Sequence, residues 1–134
     1  MVLIMDLFAK LRGMKILLID DDEWIRDSLG LFFESEGCQL LALETAEEGL
    51  QAVSEQPYDI IMADYKLPGM DGLEFFKKIQ GFNSPALKIL ITAYGREEFF
   101  PEARRIGIVD IIEKPFTTEE IEKSLTLLIT KHAQ

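Results

Sequence analysis

Four short apolar runs, each of strand length and separated from the next by an amphipathic segment, constrain the fold of this chain more than any other feature. They are KILLI at Lys15–Ile19, IIMA at Ile60–Ala63, KILIT at Lys88–Thr92 and IVDII at Ile108–Ile112, with a weaker fifth, QLLAL, at Gln39–Leu43. Continuous apolar runs of this length read as strands covered on both faces. The segments between them read as helices. In Glu23–Glu36 the residues Ile25, Leu29, Phe32 and Phe33 recur at helical spacing, and Gly37 ends the stretch. TAEE at Thr45–Glu48 is a capping box opening the next helix, with Leu50 and Val53 facing inward. Gly72–Gln80 follows a Pro-Gly loop as a short helix. Pro101 suits the first turn of a helix ending near Gly107, because in mid-helix it would break the hydrogen-bond ladder. TTEE at Thr117–Glu120 opens a last helix with the stripe Ile121, Leu125, Leu128 and Ile129. Strand and helix thus alternate five times, a (βα)5 order. The expected fold is α/β, a doubly wound parallel five-stranded sheet, since parallel strands need crossover connections.

Right-handed crossovers bring the carboxyl ends of all the strands to one edge, where sheets of this kind place their sites. The residues at those ends are therefore the candidates for chemistry. Strand one ends in Asp20-Asp21-Asp22, strand three in Asp64, strand four in Thr92 and strand five in Glu113-Lys114-Pro115. Asp22 suffices to cap the following helix. Three aspartates in a row, with another on the adjacent strand, repel one another unless a cation sits among them. With oxygen ligands alone and no His or Cys nearby, Mg²⁺ is the cation expected. A lysine facing such a cluster suits phosphoryl chemistry, because its charge balances a transferred PO₃ group. Thr92 is placed to donate a hydrogen bond to another phosphoryl oxygen, although alone it would read as structural.

The charge balance narrows the partners. The 134 residues carry 24 acidic against 14 basic side chains, a net charge of −10. Nucleic acid and anionic membrane surfaces repel such a chain, so neither is an expected partner. The length suits one domain with a real core. The single cysteine, Cys38, excludes an internal disulfide and suits a reducing, cytoplasmic setting. No apolar run approaches the roughly 18 residues of a membrane span.

These motifs together resemble a response-regulator receiver domain over about Lys15 to Lys131. The family pattern is an acidic pair after strand one, a phosphoacceptor Asp after strand three, Thr or Ser after strand four and Lys-Pro after strand five. Asp20-Asp21, Asp64, Thr92 and Lys114-Pro115 fill those places in order, 43, 28 and 22 residues apart from Asp21 onward. Leu67-Pro68-Gly69-Met70-Asp71-Gly72 matches the family's L-P-x-M-D-G. The resemblance implies the flavodoxin-like strand order 2-1-3-4-5 and a cis Lys114–Pro115 peptide. It implies that Asp64 attacks a phosphohistidine and carries the phosphoryl group as an acyl phosphate. Asp20, Asp21, Asp64 and the backbone carbonyl of Lys66 would hold Mg²⁺, while Lys114 and Thr92 grip the phosphoryl oxygens. The implied donor is a sensor histidine kinase or a histidine phosphotransfer protein. The sole histidine, His132, reads as a solvated tail residue rather than a relay. The implied output is a change in the face formed by the fourth helix, fifth strand and fifth helix of the repeat, read by a downstream effector or by a phosphorylation-dependent homodimer.

Three features depart from the plain pattern or tune it. Receivers usually carry Tyr or Phe three residues before the strand-five Lys, whereas this chain has Ile111. The signal then leaves either through packing of Ile111 or by another route. Lys66 and Tyr94 stand at positions that tune the lifetime of the acyl phosphate in the family, and their size predicts slow loss of the group. Met14 reads as the domain's start (residues 14–134), leaving 1–13 as an extension. With Leu3, Leu7 and Leu11 on one helical face, that extension is an amphipathic turn, a partner contact, an expression remnant or the result of a misassigned start.

Two rival functions compete. LLIDDDEW at Leu17–Trp24 also fits the apolar run and D-x-D of a haloacid-dehalogenase-like phosphatase, with Asp20 as nucleophile and Asp22 as acid/base, and ILIT at Ile89–Thr92 resembles its second motif. That reading leaves Asp64 and its loop without a role, and no acidic motif follows the lysine. The other rival is a pseudo-receiver, a binding module that keeps the fold without the chemistry. The complete polar set argues against it.

Overall fold

The computed structural model describes residues 4–82 and 85–132. Elements run α1 (Ile4–Leu11), β1 (Lys15–Ile19), α2 (Glu23–Ser35), β2 (Gln39–Leu43), α3 (Ala46–Glu55), β3 (Ile60–Asp64), α4 (Gly72–Gln80), β4 (Leu87–Thr92), α5 (Phe100–Arg105), β5 (Ile108–Glu113) and α6 (Thr118–His132). A 3₁₀ turn at Arg96–Glu98 leads into α5. The five strands are parallel in the order β2-β1-β3-β4-β5. The expected α/β architecture and strand order are therefore what the chain adopts. In this numbering the expected output face is α5, β5 and α6.

The burial pattern explains the apolar runs. β1, β3 and β4 lie inside the sheet, and nearly every residue in them is buried. Alternate residues point to opposite faces. Leu17, Ile19, Ile61, Ala63 and Leu90 pack beneath α3, α4 and α5 with Phe75, Phe76 and Ile79. Ile16, Leu18, Ile60, Met62, Ile89 and Ile91 pack on the other side with Leu29 and Phe33 of α2 and Ile121, Leu125, Leu128 and Ile129 of α6. The edge strands β2 and β5 are only partly covered, which is why QLLAL was the weaker run.

Local signals set the helix ends. The Asp22 carboxylate accepts the Trp24 N–H at 2.9 Å and caps α2. Gly37, at φ +77°, ends that helix in the left-handed region that costs a residue with Cβ about 1 kcal/mol or more. The Thr45–Glu48 capping box forms as expected.

The N-terminal segment makes contacts of its own. Residues Ile4–Leu11 form a helix whose Leu7, Phe8 and Leu11 are buried in the layer of α2 and α6, and Phe8 meets Phe32 edge-on at 5.7 Å. Leu3, the third member of the expected stripe, lies outside the described residues. No helix among the described residues is long and apolar enough to cross a membrane.

Candidate functional site: an acidic cluster facing a lysine

Strand register assembles the site. Ile19 pairs with Ala63, so Asp20 and Asp64 leave the sheet side by side. Asp64 pairs with Ile91, and Thr92 pairs with Glu113, so Thr92 and Lys114 arrive one residue further along the same edge. Residues 50 positions apart in sequence thereby meet. The Lys114 ammonium lies 3.1 Å from Asp64 Oδ2 and 3.1 Å from Asp20 Oδ2. The Lys114–Pro115 peptide is cis, and the Lys114 N–H donates to the Thr92 carbonyl at 2.7 Å.

Each carboxylate has a different environment. Asp20 is fully buried; its Oδ1 accepts the Asp22 N–H at 2.9 Å, and Arg26 Nη1 holds its backbone carbonyl at 2.9 Å. Its Oδ2 is buried and accepts no well-directed hydrogen bond among the described residues, although the ammonium is close. Asp64 is 5% exposed, while Asp21 is open to solvent. One oxygen from each of the three lies within 4.8 Å of the others. Three carboxylates against one ammonium leave the cluster at net −2, and its electrostatics follow from that excess. Burial, and then the neighbouring Asp20 charge, push the Asp64 carboxyl up to about 6 despite Lys114. Burial likewise raises Asp20. Burial alone would lower Lys114, but the Asp20 and Asp64 charges outweigh it and raise the ammonium on balance. A buried, poorly satisfied carboxylate oxygen beside two more acidic groups fits a hard divalent cation.

The remaining candidates lie around this centre. Thr92 is fully buried, and its hydroxyl oxygen accepts the Tyr94 N–H at 3.0 Å. Lys66, two residues after Asp64, is exposed. Tyr94 is 43% exposed and leans edge-on against Tyr65 and Phe99. Ile111 pairs with Leu90 across the sheet, is 2% exposed and belongs to the buried cluster that also holds Phe99, Ala103 and Ile106. Asp22, the acid/base of the phosphatase reading, has its carboxylate engaged as the α2 cap.

Sequence reasoning missed two supports of the site. Arg26 reaches back to the Asp20 carbonyl because α2 starts beside it; an Arg one turn into a helix carries no such signal by itself. Gly72 passes so close to the Asp64 peptide that a Cβ there would lie 2.3 Å from the Asp64 carbonyl oxygen. In the sequence it read as the start of a helix and the last residue of the L-P-x-M-D-G match, without the contact it makes.

The sequence matches the family profile described as the response regulator receiver domain over residues 16–126. The chain belongs to that family: it is a receiver domain of the two-component response-regulator type. It is 32% identical over 111 residues to sporulation initiation phosphotransferase F of Bacillus subtilis, covering 83% of this chain and 90% of that protein. It spans about half or less of several other curated relatives, which are named transcriptional regulatory proteins. Among solved structures, a CheY-like receiver domain protein from Methanospirillum hungatei superposes with a TM-score of 0.77 at 30% identity, covering 88% of this chain and 98% of that one. The receiver domain of Saccharomyces cerevisiae Ssk1, solved with the histidine phosphotransfer protein Ypd1, shares the fold with a TM-score of 0.78 at 21% identity, covering 84% and 86%.

Proposed function

We propose that Asp64 is the phosphoacceptor of this receiver and that a phosphohistidine on another protein is its donor. The observation that carries the reading is the single ammonium, Lys114 Nζ, held 3.1 Å from both Asp20 and Asp64 at the carboxyl edge of the sheet. An Asp64 oxygen attacks the phosphorus of the donor. The P–N bond breaks, the imidazole leaves with the electron pair and takes up a proton, and an acyl phosphate forms. Lys114 turns from the Asp64 carboxylate to the phosphoryl oxygens, and the Thr92 hydroxyl donates to another of them. Asp20, Asp21 and Asp64, with the backbone carbonyl of Lys66, are the residues that would hold Mg²⁺, which when bound neutralises charge on the transferring group. Lys66 and Tyr94 flank the product and slow its hydrolysis.

The donor class, a sensor histidine kinase or histidine phosphotransfer protein, is supported by the fold shared with the Ssk1 receiver. The loaded face of α5, β5 and α6 then meets a downstream effector or a second copy of this chain. The reading makes the domain a signalling phosphoacceptor that acts on itself alone, in the cytoplasm.

Incubation with Mg²⁺ and a small acyl-phosphate donor, followed by intact mass, tests it. Wild type gains one phosphoryl group and Asp64→Asn gains none. Undiminished labelling of the variant overturns the assignment.

The cation should also bind with a defined pH dependence. An acid whose pKa is raised keeps its proton up to a higher pH, so Asp64 is largely neutral at pH 5 and ionised at pH 7. Mg²⁺ requires the ionised form, so its affinity should fall about tenfold between those pH values. Titration calorimetry at both pH values measures this. An affinity unchanged over that range means that Asp64 is not a ligand or that its carboxyl is already ionised at pH 5.

A further inference from the structure

Ile111 is buried and apolar, so no hydrogen-bonding side chain at that position is available to follow Thr92. The covalent path out of Thr92 runs instead through Ala93–Glu98, all exposed. That path is tied down at Arg96. The Arg96 N–H donates to Glu113 Oε1 at 3.1 Å, and Arg96 Nη2 donates to Asp110 Oδ1 at 3.2 Å. Asp110 Oδ1 also accepts the Ile111 N–H at 2.9 Å, and Asp110 Oδ2 accepts the Ser124 hydroxyl at 2.5 Å. One chain of polar contacts thus joins the 3₁₀ turn, β5 and α6. Both of its entry points adjoin the candidate site: Arg96 lies four residues after Thr92, and Glu113 immediately precedes Lys114.

We infer that the Arg96–Asp110–Ser124 brace is an autoinhibitory contact that holds the α5–β5–α6 face in its resting arrangement and opens when the site is loaded. The inference rests on Asp64 being the phosphoacceptor. As Thr92 and Lys114 close on the phosphoryl group they draw the starts of residues 93–96 and the end of β5 toward Asp64. A hydrogen bond already at 3.2 Å does not survive a further shift of about 1 Å. The break falls at Arg96 rather than at Ser124. Asp110 keeps two donors, Ser124 and the Ile111 N–H, so opening leaves no bare buried charge. Arg96 is 44% exposed on its side chain and already lies over the Phe100 ring at 5.6 Å, so it has water and an aromatic face to turn to. The exposure also sets the strength. A half-exposed pair is weak enough for a ligand to release, whereas a deeply buried one would hold the face shut.

The test uses the full chain with Mg²⁺ and beryllofluoride, a tetrahedral mimic of the phosphoryl group. If the brace opposes the loaded state, removing it shifts the population toward that state. Arg96→Gln and Asp110→Asn are each expected to bind beryllofluoride about threefold to fivefold tighter than wild type. The double variant should be no tighter than either single, because both remove one link. Without ligand, hydrogen exchange over residues 93–100 of the variants should move from the free wild-type pattern toward that of loaded wild type. Wild-type or weaker affinity in both variants overturns the brace and leaves the Asp64 assignment standing. Failure of wild type to bind beryllofluoride, together with no labelling of Asp64, removes both readings. Circular dichroism checks folding, and the exposed Arg96→Gln carries the test should Asp110→Asn misfold.

Discussion

Alanine at position 72 is expected to cost about 3 kcal/mol of stability and to disable the site in the protein that still folds. The collision is with main chain. A Cβ on Gly72 would lie 2.3 Å from the Asp64 carbonyl oxygen, 3.0 Å from its carbonyl carbon and 3.1 Å from Tyr65 Cα. No rotamer change relieves that. The backbones are also bonded to each other, since the Gly72 N–H donates to the Tyr65 carbonyl at 2.8 Å. Relief requires α4 to retreat or the Asp64–Tyr65 peptide to shift. Retreat of α4 opens the core at Phe75 and Phe76, both fully buried. A shift of Asp64 by about 1 Å misplaces the nucleophile against Lys114, a displacement that can cost about a hundredfold in rate. Urea unfolding and labelling by an acyl-phosphate donor read the two effects separately. Gly30→Ala is the control: nothing lies within 4 Å of a Cβ there, and alanine favours a helix interior, so it should stabilise by about 0.5–1 kcal/mol. An unfolding midpoint for Gly72→Ala equal to wild type would show that this approach of backbones is not tight.

Gly72 was legible as the last residue of the L-P-x-M-D-G match, but the backbone contact it makes was not. Burial on both faces makes a central parallel strand a continuous apolar run, so β1, β3 and β4 could be read directly, and their ends named Asp20, Asp64 and Thr92. Lys114 followed from the same logic, because register fixes what stands at the edge once the strands are placed. A contact made across the fold leaves no such trace. Asp110 passed unremarked inside IVDII; its partners Arg96 and Ser124 each lie 14 residues away, in a turn and on a helix read only for its apolar stripe. Tyr65 meets Phe99 at 4.6 Å with the rings tilted by 52° because β3 and the start of α5 converge, a fact of topology rather than of spacing. The resemblance pointed to Ile111 as a departure, but only the structure shows that it is already turned inward.

The N-terminal segment carries the second large effect: Leu7→Ala with Leu11→Ala should lower stability by about 4–6 kcal/mol. Both side chains are fully buried. α1 has 8 residues, too few to hold a helix in water by itself, so its order must come from the surface it covers. That surface is the layer containing Phe32 and Phe33 of α2 and Leu125, Leu128 and Ile129 of α6. Each truncated leucine loses about 2–5 kcal/mol of burial and cavity energy, but the total is capped. Once α1 detaches, no further packing remains to be lost. Removal of residues 1–12 should therefore cost as much as the double substitution, and a difference of less than about 1 kcal/mol between either variant and wild type would show that α1 is no part of the cooperative core. The site offers an independent check. α1 meets α2 at its C-terminal half, whereas Asp22 and Arg26 support Asp20 from the opposite end of that helix. In the folded fraction, then, labelling of Asp64 should proceed at the wild-type rate while the unfolding midpoint drops. Loss of labelling in step with stability would instead mean that α1 sets the position of α2 along its whole length, and with it the Asp20 carboxylate.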